Sequence, residues 1–129
     1  MSDRIQQEIE LLRSQFPSLE HVPNGNWVRI PAYPLPVGWN RDTSDVAFHI
    51  PPAYPGTHPY GIYVPTGLQF QGAAPGNYKE PADNKPPFPG QWGIFSWQPK
   101  EWRATADLNS GHNLLNWVTG FAVRFKEGN

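Results

Sequence analysis

The sequence predicts an α+β domain, with an amphipathic helix at each end of the chain packed on a meander of short antiparallel strands. Three observations predict it. Ile5, Ile9, Leu12 and Phe16, and again Leu114, Val118, Phe121 and Phe125, recur at intervals of 4, 3 and 4 residues, which lays one apolar stripe along a helix. Between them, Val46, Phe48 and Ile50 alternate with Ala47 and His49, the period of a strand with two unlike faces. The strands also stand together in the middle of the chain. They do not alternate with helices, so a sheet with helices segregated from it is expected, not a βαβ series.

In chain order, Ser2 caps the first helix, and Glu8, Glu10 and Arg13 fall on its other faces. Pro17 ends it, because the pyrrolidine ring disfavours helical geometry in the preceding residue. Residues 26–30 alternate and close at Pro31 as an edge strand. The stretch Tyr33 to Asn40, with two prolines and a glycine, is a structured connection to the strand 45–50. A third strand covers 61–64. Periodicity is lost from 65 to 91, a segment dense in Pro, Gly, Asn and Asp, and a loop of that length in a small domain is usually functional or partly disordered. Residues 92–97 return as a fourth strand. The last helix is capped by Asn109 or Ser110, carries Arg124 and Lys126 in its last turn, where the helix dipole favours cations, and stops at Gly128.

Composition narrows the function classes. A chain of 129 residues is one domain, 1–129. Such a chain buries roughly two-thirds of its extended surface, and six Trp, five Tyr and seven Phe supply large side chains for that core. Sixteen prolines far exceed the usual share, but they are interleaved with aromatics and not with Ser and Gln, which favours ordered, loop-rich structure over disorder. A net charge of −1 with no long run of like charge argues against nucleic acid or an anionic membrane as partner. The apolar runs are too short to span a bilayer and the N-terminus lacks a secretory core, so a cytoplasmic address is expected, with which the absence of cysteine agrees.

The residues 48–64, FHIPPAYPGTHPYGIYV, followed by WQPKEW at 97–102 and the long helix, carry a family resemblance. The chain resembles the ubiquitin-conjugating enzymes over roughly residues 3 to 125. Phe48, Ile50, Pro51, Tyr54, Pro55, Pro59 and Val64 stand where that family's Tyr-Pro turn and third strand place apolar and proline positions. The element YPLPVGWN at 33–40 is similar to a bacterial branch often called prokaryotic family E, whose genes neighbour a ubiquitin-like protein, an activating enzyme and a JAB-type protease. The resemblance implies a helix–meander–loop–helix fold and a ubiquitin-like protein or its activating enzyme as partner.

The departures carry equal weight. Conjugation in that family proceeds through a cysteine thiolate that accepts ubiquitin as a thioester, and this chain has no cysteine. The family's His-Pro-Asn tripeptide is also missing from the stretch between Val64 and Trp97, and His58-Pro59 lies before the third strand. Thioester chemistry is therefore closed to this chain. The resemblance implies instead a non-catalytic adaptor, since cysteine-less relatives of the fold act as ubiquitin-binding partners. The enzyme alternative is an oxygen ester on Ser96, or a cysteine replaced at Ser96, Ala73 or Ala74. A peptide- or carbohydrate-binding module is a third class.

Other chemistry has little footing. His21, His49, His58 and His112 lack metal-ligand spacing, and no metal is expected. Ser96 or Ser110 with His112 and Asp107 lacks the Gly-x-Ser-x-Gly elbow of a hydrolase. No phosphate-binding glycine loop occurs, so no cofactor is expected, and Glu80 and Asp83 read as solvated charges in the long loop. The aromatics around the Tyr-Pro turn are the better lead. Tyr54, His58 and Tyr60, with Trp97 and Trp102 across the gap, are the candidate binding residues, because aromatics concentrate at interface hot spots. The competing reading places Tyr54 and Trp97 in the core, and leaves His58 and Tyr60 freer to face outward.

Overall fold

In the computed structural model, which describes residues 2–22, 25–54, 56–73, 78–82, 86–97, 102–103, 111 and 113–127, the first apolar stripe forms α1, Ser2–Gln15. Ile9 and Leu12 are fully buried, with Ile5 and Phe16 at the margins. Glu8 departs from the expected pattern. It is 0% exposed, because neighbouring elements close over its flank of the helix and supply hydrogen-bond donors to it.

The sheet has six strands where three or four are expected. β1 (Glu20–Val22), β2 (Trp27–Pro34), β3 (Thr43–His49), β4 (Ile62–Pro65), β5 (Tyr78–Lys79) and β6 (Trp92–Phe95) lie in the order β1-β2-β3-β4-β6-β5, each pair antiparallel. The added strands are the edges, three and two residues long, too short to show a period of their own, and each is defined by its pairing with β2 or β6. β2 also runs past Pro31. A register shift between Ile30 and Tyr33, with Ala32 at φ 57°, bulges the strand and lets a proline sit inside it.

Both faces of the sheet are covered. On one face Val28, Ile30, Val46, Phe48, Ile62, Val64 and Phe95 meet the helices. On the other, Ala47, Tyr63, Phe88 and Trp92 form a smaller cluster flanked by Trp27 and Ile94. The long loop thus supplies a strand (β5) and, through Phe88, part of a second core. Burying a side chain of this kind contributes about 1.5–3 kcal/mol, so Phe88 is a strong reason for this loop to stay on the sheet.

The last helix is two short ones, α2 (Leu114–Thr119) and α3 (Phe121–Glu127), meeting at Gly120. A Cβ on Gly120 would lie 2.8 Å from the Trp97 ring, so the indole packs against bare backbone at this junction. The N-cap is Asn113 in place of the expected Asn109 or Ser110, which lie outside the described residues, as does Gly128. Asn113 and Asn116 exchange side-chain-to-backbone hydrogen bonds of 3.0 Å each, a capping box built from amides. Arg124 is 3% exposed and its guanidinium lies 4.6 Å from the Phe95 ring centroid, so it packs on the core as well as sitting in the last turn. Tyr33 Oη donates to Val118 O and Trp39 Nε1 to Phe125 O, both at 2.9 Å, pinning the sheet to these helices. Among the described residues no helix is long and apolar enough to cross a membrane.

Candidate binding surface

The candidate surface is built around the buried Glu8 carboxylate. Desolvating a charge is costly unless it is well paired and hydrogen-bonded. Here Oε1 accepts from Tyr54 Oη at 2.5 Å and from the Leu114 amide at 2.6 Å, and Oε2 accepts from Arg4 Nε. These contacts join α1, the turn after β3 and the first residue of α2. The turn itself is local: the Tyr54 amide donates to Pro51 O at 3.0 Å and the Thr57 amide to Ala53 O at 3.2 Å. Burial, reinforced by the Glu8 carboxylate, raises the Tyr54 phenol well above its ordinary pKa of 10 and keeps it a neutral donor.

Three of the expected binding residues meet over this anchor. The Trp102 ring lies 5.9 Å from Tyr54 and 6.1 Å from His58, centroid to centroid. His58 Nδ1 lies 2.5 Å from Pro59 O. A carbonyl only accepts, so Nδ1 donates in this contact and Nε2 remains for a partner. Tyr54 is buried, while His58 and Trp102 are half-buried and bring aromatic surface to the exterior.

The structure does not bring Trp97 and Tyr60 into that group. Trp97 is half-buried and packs on Trp117 at 5.1 Å and Phe121 at 6.1 Å, against the helix–sheet core. Its carbonyl accepts from the Gly61 amide at 2.9 Å, tying the turn before β4 to the end of β6. Tyr60 is 50% exposed and makes no ring contact with the cluster among the described residues. Ser96 is exposed and hydrogen-bonds to no histidine or carboxylate among the described residues. Ala73 is exposed and bonded to Phe70, while Ala74, Asp107, Ser110 and His112 lie outside the described residues. Among the described residues no three His, Asp or Glu side chains gather as a metal site.

Sequence reasoning missed Arg4 and Glu8. Their spacing of four on a helix was a visible signal of pairing, but nothing local marks the carboxylate as buried. The arrangement offers packed rings, one imidazole nitrogen and a neutral phenol, which suits contact with a protein surface better than it suits group transfer. No protein-family model, no curated protein and no solved structure matches this chain.

Proposed function

We propose that this chain is a ubiquitin-conjugating-enzyme-like module of a bacterial ubiquitin-like modification system. It binds the ubiquitin-like protein or its activating enzyme through the Tyr54–His58–Trp102 surface, and it transfers nothing itself. The observation that carries the reading is the anchoring of Tyr54 on Glu8, with Trp102 packed on Tyr54 and His58 on Trp102, which gathers an aromatic surface before any partner arrives. Aromatic side chains held rigid lose little conformational freedom on association, and that is the quality of an interface hot spot. The absence of cysteine supports the non-catalytic half, since no thioester forms without sulfur. The order of helix, antiparallel sheet (a meander through β1–β4, with β6 inserted between β4 and β5) and C-terminal helices supports the family reading.

The test is a titration of the isotope-labelled chain with the ubiquitin-like protein and, separately, with the activating enzyme, followed by amide and indole resonances. One partner is expected to shift Tyr54, His58 and the Trp102 indole while the chain's mass stays unchanged in the presence of ATP. A hydroxylamine-sensitive adduct in the mass spectrum would instead establish an ester-forming enzyme.

A further inference from the structure

At the far end of β4 from this surface lies a second polar constellation. A cavity of about 240 Å³ is lined by Gly67, Leu68, Gln69, Tyr78 and Glu80. That is smaller than a typical drug-sized pocket and suits a single side chain. Glu80 is not the freely solvated charge the sequence suggests. Its Oε2 accepts from the Gly67 amide at 2.8 Å and from Tyr78 Oη at 2.7 Å. The wall opposite is equally fixed. Asn40 Nδ2 donates to Gly67 O, the Gln69 amide donates to Asn40 Oδ1, and the Asn40 amide donates to Gln69 O, each at 2.9 Å. Tyr78 is held in turn by its ring on Phe95 at 4.8 Å.

We propose that this notch is a binding site for a cationic group, an ammonium or guanidinium, which pairs with Glu80 while its stem lies along Leu68 and the Tyr78 ring. Three features support it. Among the described residues both hydrogen bonds to the carboxylate fall on one oxygen, which leaves Oε1 for a further donor. The walls are preorganised by Asn40 and Tyr78, so little ordering cost remains for the ligand. The phenol of Tyr78, raised above its ordinary value by burial and then by Glu80, stays protonated and holds the carboxylate in place. Arg41 opposes the ligand. Its charge reaches Tyr78, and its Nη2 would lie 3.8 Å from a Cβ on Gly67, so a like charge stands at the rim. Because Glu80 is exposed to solvent, affinity for an isolated cation is weak, on the order of millimolar.

The probes are Nα-acetyl-arginine amide and Nα-acetyl-lysine amide, the neutral isostere Nα-acetyl-citrulline amide, and the bare cations methylguanidinium and butylammonium. Each is titrated into the intact chain with the Gly67 and Tyr78 amide resonances as readout. The cationic probes are expected to move both resonances saturably and the citrulline probe to leave them in place. Glu80→Gln should weaken binding about tenfold, and Arg41→Gln should tighten it roughly two- to threefold. Capped residues binding more tightly than the bare cations identify a side chain presented by a protein; equal binding identifies a free small amine. Equal response to the citrulline probe, or saturation unaffected by Glu80→Gln, overturns the proposal. If Glu80→Gln fails to fold, the citrulline comparison and Arg41→Gln decide: weaker binding in Arg41→Gln overturns it as well.

Discussion

Glu8 is the residue on which the candidate surface rests. Removing one partner of a buried, hydrogen-bonded charge leaves the others unpaired, so Glu8→Ala is expected to destabilise the fold by about 3 kcal/mol. Glu10→Ala, which removes a solvent-facing pair with Arg13 and an exposed hydrogen bond from Gln6, is expected to stay within about 0.5 kcal/mol of the parent. Urea unfolding of the two variants side by side measures the contrast, and equal midpoints would remove Glu8 from its proposed role. The tyrosines make a second residue-level prediction. Tyr33, Tyr54 and Tyr78 all have pKa values raised by burial above the ordinary 10. A raised acid contributes stability that is fully present below its unfolded pKa and is lost as pH rises through its folded one. Stability is therefore expected to fall above about pH 10, with phenolate absorbance of the folded chain lagging that of the chain in denaturant. The core reading of Tyr54 holds, whereas the burial of the Glu8 carboxylate could not be read from the sequence. Beyond Arg4, the partners of Glu8 lie 46 and 106 residues away, and helix periodicity reports only which face a residue is on.

At the scale of elements, legibility followed the strength of the local pattern. The stripe through Ile9 and Leu12 and the alternation through Val46, Phe48 and Ile50 sit in the main core as expected, because each carries enough apolar residues to bind its element to the core. β1 and β5 were invisible since three and two residues hold no period, and only pairing with β2 and β6 makes them strands. The single helix expected after Asn109 or Ser110 is described as two short ones meeting at Gly120, where the Trp97 ring leaves no room for a Cβ, a demand that arises only in three dimensions. Gly61 shows the same dependence. It holds φ at +83°, and a Cβ there would come within 2.6 Å of Ile94 Cδ1. Gly61→Ala is thus expected to cost about 1–3 kcal/mol, read as a lowered denaturation midpoint. An unchanged midpoint would mean that the turn before β4 adapts freely.

For the whole molecule, the sheet is buried on one face by the helices and on the other by the Phe88–Trp92 cluster. That double cover explains how a chain with 38% hydrophobic residues and sixteen prolines holds a fixed surface. Part of the candidate site was legible in this respect: the Tyr-Pro turn and Trp102 were singled out, and Tyr54, His58 and Trp102 do come together. For Trp97 the core-packing reading is nearer the structure than the binding one: it is half-buried and packs on Trp117 and Phe121. The central claim is that the Tyr54–His58–Trp102 surface binds a component of a ubiquitin-like system. Calorimetric titration with the ubiquitin-like protein of the same gene neighbourhood, and with its activating enzyme, tests it most directly when the parent is compared with a folded Trp102→Ala variant. The account predicts measurable affinity for one of the two and a loss of about tenfold or more in the variant. Equal affinity of parent and variant, or no heat with either protein, would contradict it.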